Sequence, residues 1–399
     1  MGITAAHLLQ QPRFQKIIVT APCLNAAQTL LRHVASELNL PQAQSYSLAD
    51  GSTLVFRSPD QLLNTDESCE LLMVDEAAAI PLPILEKLLH SSPRTIFATT
   101  LHGYEGCGRG FALKFSKLLD AEKPNWRSAK LEQPIRWNRD DPLEQLTFRL
   151  LGLDAELELP QGYQPPAELT LRQISPRQLI EDETLLRQLF ALLVMAHYQT
   201  SPSDLRMLLD SPDCQLYALF DDKLPIAIAL LSREGPLAQE ISEAIWLGKR
   251  RLRGQLLPQT LLGHAGWQDA ARFSYARVMR IAVHPSLQGL GIGSRLLNEL
   301  ASEVEKSCEF IGTSFGATPE LLDFWKKNHF TPLRVGLHRD SASGCHSCVL
   351  LRPLCAESRE QLRQWQSCFG SQLPELLLSS LKELDPRLVQ RLLIAPPPT

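Results

Sequence analysis

A glycine-rich loop between an apolar strand and a helix has the residue types and spacing that most clearly suggest chemistry. The strand ends with Ile281, Ala282 and Val283, and the loop supplies Gln288, Gly289, Leu290, Gly291, Ile292, Gly293 and Ser294 to the start of the helix. Backbone N–H groups at a helix start are unpaired and attract anions, helped by the helix dipole. Glycine lets phosphates approach the backbone and tolerates positive φ angles. The pattern therefore predicts a site for the pyrophosphate of an acyl-CoA.

Two alternative interpretations concern the same glycines. A dinucleotide fold requires Gly-x-Gly-x-x-Gly at the opening of a βαβ unit and an acidic residue about 20 residues later. The sequence has neither feature at this place. A tight turn with a purely structural purpose is the second alternative, and the sequence leaves it open.

The residues around the loop resemble those of the GCN5-related N-acetyltransferase (GNAT) family. The resemblance lies in Ala-Val-His-Pro followed by Gln-x-x-Gly-x-Gly, and it extends roughly from Glu168 to Pro353. It implies an α+β fold, acetyl-CoA as the cofactor, and contacts between acetyl-CoA and the strand and loop residues named above. It also implies cofactor contacts by Glu320 and Lys327. Lys327 suits the phosphates, whereas Glu320 suits the start of a helix better than an anion.

The first part of the chain predicts a nucleotide-binding module. Strands and helices alternate over residues 1–150, which indicates a parallel sheet. The predicted strand Leu71–Val74 runs into Asp75 and Glu76 in the form of a Walker B element, where Asp75 would hold Mg²⁺ and Glu76 would orient the water that attacks ATP. Thr99–Thr100 after the next strand resembles the coupling motif of RecA-like helicases. A charge pair at a helix start is the alternative for the two acidic residues.

The lysine-containing phosphate loop of such modules has no counterpart in the sequence. No Gly-x-x-x-x-Gly-Lys-Ser/Thr occurs in the 399 residues. The usual order of elements would place it before Thr4–Leu9, which resembles the end of a helix. We therefore expect a partial ATPase module that begins after its phosphate loop. Without the amides and the lysine of that loop, we expect this chain to hydrolyse ATP with Mg²⁺ very poorly.

Three further stretches narrow the resemblance to the RNA cytidine acetyltransferases, which join a RecA-like helicase module to a GNAT domain. These stretches are Val74–Pro81, His102–Gly110 and Gln133–Trp137. The resemblance implies formation of N4-acetylcytidine at the wobble position of elongator tRNA(Met), coupled to ATP hydrolysis. It also implies that Arg136 contacts the nucleotide phosphates, with a surface ion pair as the alternative. The rival functions are a GNAT enzyme that acetylates protein amines and a non-catalytic fragment that binds tRNA.

His197 is the candidate general base for this chemistry. It lies in Met195–Asp204, which resembles the His-Tyr-x-x-Ser-Pro-x-Asp stretch of the family. The exocyclic amine of cytidine is uncharged, but its lone pair is delocalised, so a base that takes the proton during attack on the thioester would help. A histidine at a helix end is also a common C-terminal cap, which is the alternative.

The densest basic run of the chain predicts contact with RNA. Lys249, Arg250, Arg251 and Arg253 lie in an insertion that also contains Trp246 and Trp267. Cationic groups beside aromatic rings suit phosphate contacts and base stacking. A merely solvated charged face is the alternative.

These observations predict an α/β protein in four parts. We predict a partial RecA-like parallel-sheet module over 1–150, a proline-marked linker over 151–167, a GNAT domain over 168–355 and a helical C-terminal segment over 356–399 that forms part of an RNA-binding tail. Within these parts we predict one long helix over Pro176–Tyr198 and two C-terminal helices over Glu357–Phe369 and Glu375–Leu393.

Composition limits the partners and the location. A net charge of −4 gives no global attraction to nucleic acid, so tRNA binding must rest on local patches, and no DNA partner is expected. No apolar run is long enough for a membrane span. Nine cysteines without a repeated spacing indicate reduced thiols in a cytoplasm. Cys345 and Cys348 have no second ligand pair at finger spacing, so no metal site is predicted there.

Overall fold

The computed structural model describes residues 1–11, 13–65, 67–100, 108–133, 135, 137–196, 202–340 and 344–393. The chain divides into two units, Met1–Gln133 with Ser341–Gly344, and Pro134–Asp340 with Cys345–Thr399. Each unit has its own sheet, and the α/β class predicted from the sequence is confirmed. Among the described residues, no helix combines the length and the apolar character that crossing a bilayer requires.

Short apolar runs form the five-stranded sheet of the first unit. Its strands are β1 (Lys16–Thr20), β2 (Ser45–Ser47), β3 (Thr53–Phe56), β4 (Leu71–Val74) and β5 (Thr95–Phe97), and its helices are α1 (Gly2–Leu9), α2 (Leu24–Leu38), α3 (Pro59–Asn64), α4 (Leu82–His90) and α5 (Gly108–Glu122). The strand order is β2-β3-β1-β4-β5, in which only β2 is antiparallel to its neighbour. The strand β4 is buried over its whole length, as is usual for a strand inside a parallel sheet.

A seven-stranded sheet organises the second unit. Its strands are β6 (Thr170–Ile174), β7 (Cys214–Asp221), β8 (Leu224–Glu234), β9 (Tyr275–Val283), β10 (Phe310–Gly316), β11 (Thr331–Arg339) and β12 (His346–Pro353). Its helices are α6 (Pro142–Leu150), α7 (Pro176–Glu181), α8 (Glu183–Ala196), α9 (Pro202–Asp210), α10 (Gln239–Trp246), α11 (Leu256–Gly263), α12 (Ile292–Val304), α13 (Pro319–Lys327), α14 (Ala356–Leu378) and α15 (Pro386–Leu393). The strand order is β11-β12-β10-β9-β8-β7-β6. Every neighbouring pair is antiparallel except β9 and β10, which are parallel.

The two faces of this sheet carry different helices. Leu296 and Leu300 of α12 and Leu322 of α13 pack on one face. Leu189 of α8 packs on the other face over the β7–β9 half, and Leu261 of α11 packs with residues of β9, β10, β11 and β12. The sheet therefore separates the helix that follows the glycine loop from the helices α8 and α9.

The predicted single helix over Pro176–Tyr198 is wrong, because the chain breaks at Asp182. This residue has an extended backbone (φ −128°, ψ 91°) between α7 and α8. Its Oδ1 accepts a hydrogen bond from the N–H of Leu185 at 2.9 Å. An aspartate that satisfies a free N–H of the first turn stabilises a new helix start, so a second helix begins here.

The predicted break between the two C-terminal helices is also wrong. The helix α14 runs without interruption to Leu378 although Pro374 lies inside it. Phe369 and Leu373 are 4% and 1% exposed in the core, and this burial offsets the hydrogen bond that proline removes. At the chain's end, Arg391 of α15 pairs with Asp323 of α13 at 2.8 Å. The C-terminal helices are thus part of the second unit's core.

The stretch predicted as a linker also contributes to this core. Ala155 and Leu157 are 7% and 6% exposed and pack with residues of α8. The hydroxyl of Tyr163 donates to Asp221 at 2.7 Å. The function of this stretch as a boundary between domains stays a prediction.

A three-residue ion cluster ties together the strands of the first unit and predicts a pH-dependent stability. Glu67 accepts from Arg57 at 2.7 Å and 3.2 Å and pairs with Lys16 at 2.9 Å. Hydrogen bonds from Arg57 and then Lys16 lower the pKa of Glu67. We expect Glu67→Gln to lower the free energy of unfolding at pH 7 by roughly 0.5–1.5 kcal/mol.

Because the pKa of Glu67 is lowered in the folded state, its contribution is present above the unfolded pKa and is lost as the pH falls through the folded pKa. Urea unfolding of both proteins at pH 7 and pH 3 measures this, and the difference should shrink at pH 3. Glu86→Gln, at an exposed residue on α4, is the matched control. A Glu67→Gln effect of equal size at both pH values would contradict the assignment.

Candidate functional site

The strands β9 and β10 separate halfway along their length. Their parallel pairing begins at Tyr275 and Phe310 and stops at Val278 and Thr313. Beyond that point β10 stays paired with β12, while β9 stays paired with β8. A gap between the two central strands of the sheet is the result.

The backbone of β9 directs N–H and C=O groups of its last residues toward this gap. The N–H of His284 donates to the carbonyl of Ile226 on the β8 side at 3.0 Å. Because hydrogen-bonding direction alternates along an antiparallel strand, Ile281 and Val283 direct their N–H and C=O groups away from β8. The side-chain amide of Gln288 donates to the Val283 carbonyl at 3.3 Å. Extended ligands bind such a strand edge by the hydrogen bonds that a further strand would make.

The glycine loop lies directly after this strand. Residues 285–287 form a 3₁₀ turn, and α12 begins after Gly291. Leu290 closes a turn over Gln288 and Gly289. Among the described residues, the backbone N–H groups from Gly291 to Ser294 have no acceptor. Successive free donors at a helix start are the feature that an anion site requires.

The glycines of the loop leave room for a ligand. Gly289 and Gly291 both have φ of +83°, and a Cβ at either position would meet nothing within 4 Å. The space in front of the free N–H groups is therefore open and suits a diphosphate. A bulky side chain at either glycine would fill this space. Ile292 is 5% exposed in the core, so it can offer a ligand only its backbone. Leu290 is 57% exposed beside the glycines.

Phe324 of α13 is a residue of this site that the sequence analysis missed. A Cβ on Gly293 would lie 3.3 Å from the Phe324 ring and 3.6 Å from Val283. The absence of a side chain at Gly293 therefore lets α12 approach α13 and the end of β9. The spacing of residues within the loop does not predict this contact, because Phe324 lies 31 residues after Gly293 in the chain.

Glu320 and Lys327 lie at opposite ends of α13. Glu320 is exposed in the first turn and Lys327 is exposed in the last, about 10 Å apart along the helix axis. This places each charge where it stabilises the helix dipole. Thr318 caps the helix by accepting from the N–H of Leu321 at 3.3 Å. Cofactor contact by Glu320 and Lys327 stays a prediction.

Polar residues of the first unit meet at the carboxyl ends of β1, β4 and β5. The N–H of Asp75 donates to the carbonyl of Thr20 at 2.8 Å, and the N–H of Ala78 donates to Thr99 Oγ1 at 3.3 Å. The hydroxyl of Thr20 is fully buried and has no partner among the described residues. Parallel strands place such side chains at one edge of the sheet, where α/β proteins bind ligands.

The Asp75 carboxylate is partly buried, and its surroundings suit the binding of a cation. Burial raises its pKa, and the N–H of Glu76, at 3.2 Å from Oδ1, lowers the pKa by less. Among the residues that the structure describes, no cationic side chain pairs with this carboxylate. A partly buried carboxylate in such surroundings fits a divalent cation such as Mg²⁺. Glu76 follows with a left-handed backbone of φ +48°, which turns the chain sharply after β4. The assignment of both residues to ATP binding stays a prediction.

Two predicted site residues lie outside the described residues. These are Arg136, predicted for the nucleotide phosphates, and His197, predicted as the general base. Asp204, from the same stretch as His197, lies in the first turn of α9 and forms an ion pair with Arg280 of β9. The sequence analysis missed this pair because the partners are 76 residues apart.

The basic run lies on a loop whose backbone is held in place. The N–H groups of Lys249 and Arg250 donate to the carbonyl of Ala244 at 2.8 Å and 3.2 Å, and Gln259 accepts from the N–H of Leu252 at 2.6 Å. The side chains of Lys249, Arg250, Arg251 and Arg253 are exposed and have no ion-pair partner among the described residues. The loop therefore presents four uncompensated positive charges to solvent.

The two tryptophans near this run differ in their surroundings. Trp246 at the end of α10 is 43% exposed. Trp267 stacks against Trp365 of α14 with ring centroids 5.3 Å apart and an angle of 4° between the planes. Only Trp246 keeps the exposure that base stacking needs, since one face of Trp267 is covered by the protein.

The two cysteines predicted to hold no metal differ in burial, since Cys345 is only partly buried. Cys348 is fully buried, and burial raises the pKa of its thiol to about 12. Burial also raises the pKa of Cys345. Both thiols are therefore neutral at physiological pH.

Two family models match the chain. The helicase domain of the RNA cytidine acetyltransferases NAT10/TcmA matches residues 1–154. The GNAT acetyltransferase 2 family matches residues 188–309 and 296–355. The predicted order of a RecA-like helicase module followed by a GNAT domain is confirmed by these matches.

Similar proteins extend the match over nearly all of the chain. The tRNA(Met) cytidine acetyltransferase TmcA of Nitrosococcus halophilus (strain Nc4) is 42% identical over 98% of this chain and 53% of its own length. TmcA of Vibrio cholerae is 42% identical over 98% of this chain and 55% of its own length. The chain thus spans about half the length of the curated relatives it matches. Among solved structures, the ribosomal-protein-S18-alanine N-acetyltransferase of Escherichia coli aligns with 47% of this chain and 94% of its own at 14% identity, with a TM-score of 0.31 that supports no argument.

The open glycine loop predicts a sharp effect of adding a side chain. Gly291→Val should weaken acetyl-CoA binding roughly tenfold or more, because a branched residue is strained at φ of +83° and fills the space in front of the N–H groups. Isothermal titration calorimetry measures the affinity. Gly254→Val is the matched control, since Gly254 has φ of +76° and open surroundings but lies beyond α10 in the insertion. Equal affinities of Gly291→Val and the unaltered chain would refute the phosphate site.

Proposed function

Because the chain belongs to the TmcA family of tRNA(Met) cytidine acetyltransferases, we propose that it transfers the acetyl group of acetyl-CoA to N4 of the wobble cytidine in elongator tRNA(Met). The observation that carries this proposal is the separation of β9 from β10 beside a loop of free N–H groups. A strand edge and an anion site in succession suit a long ligand with a pyrophosphate at one end. Acetyl-CoA, the cofactor in this proposal, is such a ligand.

The chain's own groups would hold the cofactor in two places. The N–H groups from Gly291 to Ser294 and the dipole of α12 would bind the pyrophosphate. The gap-facing backbone groups of Ile281 and the N–H of Val283 would bind the extended arm and bring its end into the gap. When bound, acetyl-CoA supplies the thioester that the acceptor amine attacks. An N–H of β9 near the thioester carbonyl would stabilise the negative charge that develops on its oxygen.

The acceptor amine requires little activation beyond correct placement. Cytidine N4 carries no positive charge at pH 7, so a base must take its proton only during the attack. We assign this step to His197 on the strength of the sequence resemblance. Holding the amine against the thioester provides the larger part of the catalysis, because orientation replaces a bimolecular encounter.

The exposed basic loop would bind RNA away from the reacting base. Lys249, Arg250, Arg251 and Arg253 would contact phosphates, and the exposed face of Trp246 is available for stacking. A wobble base is unpaired in the anticodon loop, so placing it in the gap costs only unstacking, a few kcal/mol.

The first unit would couple this reaction to ATP hydrolysis in the intact family member. Asp75 would hold Mg²⁺ and Glu76 would orient water, while Arg136 would contact phosphates.

A tRNA substrate implies a location in the cytoplasm. All eight cysteines of the described residues are free thiols, which agrees with a reducing compartment.

Formation of N4-acetylcytidine tests the proposed reaction. The 399-residue chain is incubated with [¹⁴C]acetyl-CoA and a short tRNA(Met) anticodon stem-loop, whose unpaired cytidine needs no ATP-driven opening, and the RNA is digested to nucleosides. We expect the label in N4-acetylcytidine, and none when uridine replaces the wobble cytidine. Label on protein lysines with none on cytidine would replace this proposal with a protein acetyltransferase.

Neutralising the basic loop tests the RNA interface. Changing Lys249, Arg250, Arg251 and Arg253 to glutamine should weaken binding of different tRNAs to a similar extent and reduce the salt dependence by roughly one counterion per lost contact. Fluorescence anisotropy with labelled tRNA between low and physiological salt measures both effects.

A matched control removes the same number of charges from exposed arginines that are already ion-paired. These are Arg177, Arg206, Arg363 and Arg387. The control should retain the salt dependence of the unaltered chain. If both sets of changes weaken binding equally, the basic loop is not the RNA interface.

A further inference from the structure

Arg280 lies at the edge of the gap between β9 and β10. It follows Val278, where the pairing of β9 with β10 stops, and precedes Ile281, whose backbone faces the gap. Its guanidinium forms an ion pair with Asp204 in the first turn of α9. The two side chains are only 15% and 14% exposed. The side chain of Arg280 therefore points to the face of the sheet that carries α8 and α9.

Within the part of the chain that the structure describes, one nitrogen of this largely buried guanidinium has no partner. Nη1 of Arg280 is inaccessible to solvent and makes no hydrogen bond to a described residue, whereas Nη2 donates to Asp204. A buried donor without an acceptor is destabilising, because the group has lost its hydrogen bonds to water. Such groups are rare in native proteins and often belong to a functional site. An oxygen supplied by a ligand would remove this cost.

The position of Arg280 excludes the cofactor phosphates as that ligand. The glycine loop leads into α12, which packs on the opposite face of the sheet. In the proposed reaction this leaves the face of α8 and α9 for the acceptor. The carboxylate of Asp204 already compensates the positive charge of Arg280, so a neutral oxygen suits Nη1 better than a phosphate.

We propose that Arg280 is a specificity-determining residue that donates from Nη1 to the 2-carbonyl oxygen of the acceptor cytosine. This inference rests on the proposed function. Cytosine carries its amine and this carbonyl on the same edge of the ring. With the amine directed into the gap, the hydrogen bond from Arg280 fixes the ring in the plane that the attack requires. Adenine also carries an exocyclic amine but has no carbonyl oxygen, so the same contact selects against it.

Asp204 would act as a positioning residue in this arrangement. Its ion pair holds the guanidinium against α9 and leaves Nη1 as the group directed to the ligand. Lysine at position 280 would retain a positive charge for Asp204 but lose the forked geometry that supplies a second donor. Arg280→Lys is therefore the variant that separates the ion pair from the recognition of the base.

The test combines this variant with a change of one atom in the substrate. Acetyl transfer is measured with stem-loops that carry cytidine or 2-thiocytidine at the wobble position, because sulfur is a weaker hydrogen-bond acceptor. Arg280→Lys should raise KM for the cytidine stem-loop roughly tenfold or more, with kcat and acetyl-CoA affinity nearly unchanged. For the unaltered chain, replacing cytidine by 2-thiocytidine should raise KM by a similar factor. For Arg280→Lys, the same replacement should cause no further rise in KM.

Arg277→Lys is the matched control. Arg277 lies on the same strand and pairs with buried Glu234 at 2.5 Å, but it lies where β9 and β10 are still paired. Its change to lysine should leave KM for both stem-loops unaltered. Thermal unfolding of each variant checks that the fold is retained.

Three outcomes decide the inference. If Arg280→Lys and 2-thiocytidine each raise KM and their effects add independently, the inference is overturned. The residue would then affect binding through the structure of the protein and not through a contact with that oxygen. Equal acetylation of cytidine and 2-thiocytidine by the unaltered chain would overturn it even if the variant fails to fold. If the unaltered chain forms no N4-acetylcytidine at all, the proposed function fails first, and this distinguishes the two failures.

Discussion

The end of hydrogen bonding between β9 and β10 is the constraint on which the second unit's site depends. A sheet normally pairs every strand inside it, because an unpaired backbone group buried from water costs free energy. Here pairing stops at Val278 and Thr313, and each strand keeps its outer partner. The gap therefore exposes backbone donors and acceptors at the centre of the fold. It also brings the glycine loop, which follows β9, to the mouth of this gap.

The two faces of the seven-stranded sheet carry different polar groups. On one face, α12 begins with free N–H groups that attract negative charge. On the other face, Arg280 and Asp204 form a buried pair whose charges compensate each other. In the proposed reaction the anionic part of the cofactor and the neutral base would therefore lie on different faces of the sheet. The uncompensated cations of the basic loop add a third environment that is suited to phosphates in solvent.

Several local features were predictable because they depend on neighbouring residues. The glycines that need positive φ, including Gly291, and the apolar strand Leu71–Val74 were found from short patterns. The tertiary structure overruled other patterns. A break was predicted after Phe369, but burial of Phe369 and Leu373 keeps α14 continuous through Pro374. The periodic run after Pro176 suggested one helix, but the cap formed by Asp182 divides it.

The sequence by itself determined the family, the order of the helicase and GNAT modules and the loop that presents free N–H groups. It could do so because these depend on residues that are close together along the chain. Only the tertiary structure decided that Phe324 lies against Gly293, that Trp267 is stacked on Trp365, and that Arg280 is held by Asp204. Each of these contacts joins residues that are distant in sequence. The packing of the elements brings such residues together, and no local pattern records that packing.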